Sequence, residues 1–365
     1  MGHSATQRWA NTGIWLVFMR MSVSVGAAPV SFDDIRRLLV ALPPADEACA
    51  VAVRERQAQL TKPLGSLGRL EDVVAFLAMW QGRSMPTLAQ PLVLIFAGNH
   101  GVVGRGVSAY PASVTRAMVA NFEAGGAAIN QICACFGLGL KVVDLNLDEP
   151  TLDFTGAPAM DETQSVAAFA RGMASVAPGT DLLCIGEMGI GNSTSAAAIY
   201  YALYGGEAAH WVGRGAGVDD LRLACKIDAV EAGVANHKDW LADPLEILRR
   251  LGGREIAAMA GAITAARLAH IPVLLDGYIA CAAAAVLQAQ APQTLDHCLA
   301  AHVSAEAAHK DVLARLGKRP LLDLGMRLGE GSGAALAVGL VQAALACHAD
   351  MATFAEANVA GKIES

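Results

Sequence analysis

The residues best suited to chemistry in this chain lie in three glycine-rich loops. The first reads Gly186-Glu187-Met188-Gly189-Ile190-Gly191-Asn192-Ser193-Thr194-Ser195, after the apolar run Leu182–Ile185 and before an Ala-rich segment. Its glycines let the backbone turn sharply and approach a ligand closely. A helix opened by Asn192, Ser193 and Thr194 would present free N–H groups to an anion. A phosphate suits that loop, and an ordinary capped strand-to-helix turn is the alternative reading. The glycine order is not GxGxxG and no lysine follows as in GxxxxGKS, so neither a dinucleotide nor a nucleoside triphosphate is indicated.

The second loop reads Gly325-Met326-Arg327-Leu328-Gly329-Glu330-Gly331-Ser332-Gly333. A carboxylate flanked by glycines at a strand end can be held against a substrate and partly desolvated, which raises its pKa towards that of a useful general base. Glu330 could equally be a solvated loop acid or a helix-entry acid. Glu187 stands in the same relation to its own run, and two carboxylates at one sheet edge favour catalysis. The third loop, Gly213-Arg214-Gly215-Ala216-Gly217-Val218-Asp219-Asp220, is followed by Lys226. Glycines with a cation suit a phosphorylated ligand, although a lone helical lysine can simply be solvated. His100, in Gly98-Asn99-His100-Gly101-Val102, could carry a proton; no Ser or Cys nucleophile motif accompanies it, which favours a structural role.

The elements that position these loops are legible in the hydrophobic pattern. Ser31 with Asp33 and Asp34 opens a helix with an Ile35, Leu38, Leu39 stripe, a second helix spans about Asp46 to Leu60, and a third follows the Pro63–Gly68 turn. No strands separate them, which predicts a small helical domain over 29–88. Beyond Pro86 six short apolar runs alternate with helical segments: Leu92–Ala97, Leu140–Leu145, Leu182–Ile185, Ala209–Val212, Val273–Leu275 and Pro320–Leu324. That rhythm predicts an α/β fold with a mostly parallel, six-stranded sheet flanked by helices. Ligands of such sheets bind beyond the carboxyl ends of the strands, where all three loops fall.

Composition narrows the function classes. The 365 residues are 54% hydrophobic and 5% aromatic, with a formal net charge of -7. No basic block supplies a nucleic-acid or membrane-surface footprint. The eight cysteines form no CxxC pair and no zinc spacing, and read as free thiols of a reducing compartment. Residues 1–28 read as a disordered leader, since Gly13–Met19 is short for the core of a signal peptide. No metal or cofactor is called for.

Taken together, the segments resemble the nicotinate-nucleotide–dimethylbenzimidazole phosphoribosyltransferase family of cobalamin synthesis. The matching pieces are Lys62–Glu71, Gly98–Val102, Gly106–Pro111, Gly125–Ile129, Gly186–Thr194, Gly213–Asp219, Glu255–Gly261, Pro272–Gly277, His302–Glu306 and Arg327–Gly333. They run in the family's order from about residue 60 to the end.

The resemblance implies a Rossmann-like catalytic domain over 89–349, a small domain at 29–88 joined by 350–365, a cytoplasmic homodimer, and transfer of phosphoribose from nicotinate mononucleotide to 5,6-dimethylbenzimidazole. It implies Glu330 as general base and Glu187 as a second acid. Gly189, Gly191, Asn192, Ser193, Gly217, Lys226, Ser304 and Arg327 then fall at the mononucleotide. Ser108, Tyr110, Met188 and Leu328 fall at the aromatic base. Two departures bear on the site: Asn99 stands where an Asp is common, and Ala117 where a Gln is expected. Transfer to another base, such as adenine or a phenol, and a non-catalytic nucleotide sensor share the phosphate loop. A nicotinamide-dependent dehydrogenase would require GxGxxG after the first strand, which is missing.

Overall fold

The computed structural model describes residues 28–215, 217–306 and 308–360. The leader, apart from residue 28, and the end of the 350–365 segment lie outside them. In chain order the elements are α1 (Phe32–Val40), α2 (Glu47–Gln57), α3 (Arg69–Gln81), β1 (Pro91–Ala97), α4 (Ser113–Glu123), α5 (Ala128–Phe136), β2 (Gly139–Asp144), α6 (Glu162–Ser175), β3 (Leu182–Met188) and α7 (Asn192–Tyr204). There follow α8 (Ala208–Trp211), α9 (Asp220–His237), α10 (Pro244–Leu251), α11 (Arg254–Leu268), β4 (Val273–Leu275), α12 (Tyr278–Gln290), β5 (Cys298–Ala300), α13 (His309–Arg315) and α14 (Ser332–Asp350).

The sheet is parallel throughout, in the order β2-β1-β3-β4-β5. It has five strands among the described residues rather than six. Ala209–Val212 is not a strand: the Val212 N–H closes a helical turn on Ala208 O at 3.1 Å, and Trp211 turns inward onto Tyr200, ring centroids 5.8 Å apart, its indole N–H donating to Gly205 O at 2.9 Å. Pro320–Leu324 forms no strand: Leu321 and Leu322 donate to Ala300 O and Ala301 O, each at 3.0 Å, and Leu322 forms a single bridge with His302. The pairing stops at that one bridge, so the segment lies beside the end of β5 without extending the sheet. β5 itself escapes sequence reading. It is three residues long, and its burial comes from pairing with β4.

Both faces of the sheet are covered, as parallel sheets require. Along β1, Leu94 and Phe96 face one layer, Val93 and Ile95 the other. The first layer holds α1, α6, α7 and α10–α12; the second holds α2, α3, α5 and α14. The 29–88 segment is divided between them. Ser31 caps α1, accepting from the Asp34 N–H at 3.2 Å, and Phe32, Ile35 and Leu39 enter the first core. Asp46 caps α2, whose Val53 joins Val73, Val74 and Leu77 of α3 in the second.

The strand order reverses between β1 and β3, which opens a crevice at their carboxyl ends. The first layer is locked by α6 against α11 through reciprocal glycines. A Cβ at Gly172 would overlap the Ala258 carbonyl oxygen, and one at Gly261 would overlap that of Phe169. Gly172→Ala and Gly261→Ala should therefore each lower the free energy of unfolding by about 2 kcal/mol, the usual cost of overpacking a tight core. Urea denaturation reads this directly, and an alanine that leaves the midpoint unmoved at either position would refute the contact.

Candidate active site

A cavity of about 750 Å³ opens at the carboxyl edge of the sheet. Glu187 and Glu330, Gly189, Gly191, Asn192, Ser193, Lys226, Ser304 and Arg327, and Ser108, Tyr110, Met188 and Leu328 all line it. Gly217 does not, although it shapes the neighbouring turn with φ +97°. Ala117 is exposed on α4 and Asn99 is buried, its amide donating to Leu147 O at 2.8 Å; neither lines the cavity.

The two glutamates meet because their loops touch. A Cβ at Gly186 would stand 2.6 Å from the Gly331 nitrogen, so only glycine lets the end of β3 approach the turn before α14 so closely. Gly329 makes room for Glu187 in the same way, its missing Cβ lying 2.5 Å from Glu187 Oε1. Glu330 has φ +62°, a left-handed conformation that costs a non-glycine residue about 1–2 kcal/mol, and its neighbours Gly329 and Gly331 share that region.

Burial pushes the Glu187 carboxyl up to about 8, against the opposing hydrogen bond from the Asn192 amide; Asp276, Glu255 and Glu330 add repulsion. Burial likewise raises Glu330 to about 7, with Asp276 adding to it. Asp276 directly follows β4, is itself raised by burial, and accepts the Ala334 N–H at 2.9 Å at the start of α14. His302 Nε2 stands 3.6 Å from Asp276 Oδ1. Neighbouring acids whose environments set their pKa values apart can divide acid and base roles.

The opposite side of the cavity is built for an anion. Gly191, φ +94°, stands at the N-cap of α7, and no side chain caps the helix. The Asn192 N–H bonds Gly189 O at 3.2 Å and the Thr194 N–H bonds Gly191 O at 3.0 Å, which leaves the Ser193 N–H as the first-turn donor for an anion. Lys226 is 2% exposed and extends from α9 to Ser193 Oγ at 3.0 Å and Gly213 O at 2.8 Å. Desolvation lowers its ammonium to about 8, with Glu306 acting against that. Arg327 reaches over this turn to Gly215 O at 2.9 Å. Val107, Val114, Met118, Met188 and Leu328 make an apolar wall, with Tyr110 and Leu328 half exposed at the mouth. Among the described residues no group of three or more His, Cys, Asp or Glu side chains is arranged to hold a metal ion.

Sequence reasoning did not single out Asp276, His302, Glu306 or Arg214, all of which line the cavity. Asp276 had a signal, since an acid directly after a buried strand marks the sheet's ligand edge. The other three lie in segments that the resemblance marks, Gly213–Asp219 and His302–Glu306, with nothing in their spacing to single them out.

A family model described as phosphoribosyltransferase matches residues 42–359. The nicotinate-nucleotide–dimethylbenzimidazole phosphoribosyltransferase of Methylocella silvestris is 67% identical over 337 residues, covering 92% of this chain and 98% of that protein. The enzyme of the same name from Rhizobium rhizogenes is 62% identical over 331 residues, covering 91% and 98%. The solved structure of CobT from Thermus thermophilus superposes with a TM-score of 0.80 at 41% identity, covering 86% of this chain and 99% of that one. The chain belongs to the nicotinate-nucleotide–dimethylbenzimidazole phosphoribosyltransferase family.

The raised carboxyls have a consequence for stability. Both folded pKa values, about 8 for Glu187 and about 7 for Glu330, exceed the ordinary 4.5. The folded chain thus keeps protons that the unfolded chain has lost, and these groups make stability fall as pH rises from about 5 to about 8, then level off. Glu187→Gln removes one such proton, so its denaturant-unfolding free energy should fall less steeply than wild type over that window. Parallel slopes would show that Glu187 is already ionised in the folded chain.

Proposed function

We propose that the chain transfers the 5-phosphoribosyl group of nicotinate mononucleotide to 5,6-dimethylbenzimidazole, releasing nicotinate and α-ribazole 5′-phosphate. The observation that carries this reading is the buried Glu330 carboxyl, raised to about 7, in a cavity that joins an apolar wall to an anion site. A flat apolar base suits the first and a ribose 5-phosphate the second.

In this mechanism the phosphate lies at the start of α7 beside Lys226. The benzimidazole ring lies against Met188, Met118 and Leu328, with Ser108 and Tyr110 at the mouth. Ionised Glu330 takes the proton from one ring nitrogen while the other nitrogen attacks ribose C1′. The bond from C1′ to the pyridinium nitrogen breaks, and its electron pair returns to the leaving ring as neutral pyridine nitrogen. The leaving group therefore needs no proton. Attack from the opposite face converts a β bond into an α bond without a covalent enzyme intermediate. Positioning two substrates in line provides much of the acceleration. Glu187, protonated near neutral pH and held by Asn192, serves as a hydrogen-bond donor or reserve base. A homodimer in the cytoplasm belongs to the same proposal.

Mass spectrometry of the products from nicotinate mononucleotide and a panel of bases tests the reaction. With dimethylbenzimidazole, Glu330→Gln should lower kcat by about 10²–10⁴, the range for loss of a general base, while calorimetry still shows both substrates bound. In the wild type kcat should rise with pH through an apparent pKa near 7. Unchanged turnover in Glu330→Gln removes it as the base.

A further inference from the structure

Three polar side chains lie buried together behind the anion-binding turn. His100 Nε2 is 2.6 Å from Glu255 Oε1, and Ser195 Oγ is 3.0 Å from His100 Nδ1. Their residues are 2%, 0% and 0% exposed, in the order His100, Glu255, Ser195. None lines the cavity. The set resembles a serine hydrolase triad only in composition. The serine meets Nδ1 and the acid Nε2, the reverse of that arrangement, and no substrate reaches the hydroxyl.

Such a cluster is costly to bury compared with apolar packing. Glu255 Oε2 makes no hydrogen bond among the described residues. The surroundings are nonetheless shaped around it. A Cβ at Gly98 would lie 2.5 Å from Glu255 Oε2, and one at Gly253 would lie 2.6 Å from the same oxygen and overlap the His100 ring.

Each member belongs to a different element. Ser195 lies in the first turn of α7, His100 follows β1, and Glu255 opens α11. The loop after β1 is also the bed of the anion-binding turn. A Cβ at Gly189 would stand 2.7 Å from Gly98 O, and one at Gly191 would stand 3.4 Å from His100 Cβ. With the Nε2 proton donated to Glu255, Nδ1 accepts the Ser195 hydroxyl. Apolar packing would fix only how far α7 sits from β1. The directional bond from Ser195 to His100, itself held by Glu255, also fixes its rotation, and so the aim of the Ser193 N–H.

We propose that Ser195, His100 and Glu255 form a clamp in which His100 is a positioning residue, aiming the first turn of α7 at the phosphate of the donor. This rests on the reading above, in which the donor phosphate lies at that turn.

Ser195→Ala removes one bond of the clamp and suits a helix interior. Calorimetry with ribose 5-phosphate should show binding weakened about tenfold, the scale of one lost hydrogen bond to a buried partner. KM for nicotinate mononucleotide should rise alongside it, with kcat at saturation changed less than about threefold and dimethylbenzimidazole binding unchanged. His100→Gln, which can reach Glu255 but not replace Nδ1, should behave like Ser195→Ala. His100→Asn, which places a polar atom near Nδ1, should recover part of the loss.

Wild-type affinity for ribose 5-phosphate in Ser195→Ala overturns the clamp. So does an equal loss of ribose 5-phosphate and dimethylbenzimidazole binding, which would mark a general structural role. If wild type itself binds no ribose 5-phosphate, the underlying phosphate reading fails and the clamp falls with it. If wild type binds it but makes no α-ribazole phosphate, the reaction is refuted and the binding comparison still decides the clamp.

Discussion

The approach of β3 to the turn before α14 governs the whole site. Gly186 and Gly331 come together at a distance that excludes a side chain on β3, and that approach sets Glu330 beside Glu187. Asp276, between β4 and α14, secures the same turn by accepting the Ala334 N–H. Burial disfavours charge on all three acids and displaces each carboxyl upward, with repulsion from neighbouring acids adding to it at Glu187 and Glu330. An alanine at Gly186 would do more than fill space. It would push the two loops apart and let water reach both glutamates, returning them towards ordinary acids.

The same acids bear on how an acidic chain can hold a doubly charged donor. With a net charge of -7 the protein has no long-range attraction to offer an anion. Whatever attraction there is must be local, from the start of α7, Lys226 and the guanidinium groups of Arg214 and Arg327 on the cavity wall. Ionised Glu187 and Glu330 together would oppose it. Holding Glu187 protonated near neutral pH lowers that repulsion, so the burial that tunes the proposed base also helps admit its phosphorylated partner.

How much of this was legible in the sequence depends on the origin of each feature. The loop after β3 stands out because glycine and polar residues after a continuous apolar run are dictated locally; the other two stand out by their glycines alone, since Ala209–Val212 and Pro320–Leu324 before them are not strands. The caps Ser31 and Asp46 are local for the same reason. The strand count was not legible. Cys298–Ala300 is a strand only because β4 lies beside it, while Ala209–Val212 has strand-like composition but closes a helical turn, with Trp211 packed on Tyr200. Nor could spacing show the left-handed backbone of Glu330, since glutamate has no preference for it. The sequence places Asn192 among the ligand groups, whereas its amide holds Glu187. No nucleophile motif accompanies His100 in the sequence, yet a serine stands against it from a helix ninety-five residues later.

The base side of the cavity is built on different terms from the phosphate side. Buried, directional hydrogen bonds fix Lys226 and the start of α7, while the aromatic ring would meet methionine, valine and leucine, with two half-exposed side chains at the entrance. On α4 the side chains facing the cavity are Val114 and Met118; Ala117, exposed and short, offers no polar group to them. An apolar pocket separates ligands that differ by a methyl group by only about 1–3 kcal/mol, whereas a buried polar group left without its partner discriminates far more strongly. In the proposed reaction, recognition of the phosphoribosyl donor would therefore be strict and recognition of the base graded by shape. The polar demand made on any base would come chiefly from Glu330, which needs a ring nitrogen bearing a proton to remove.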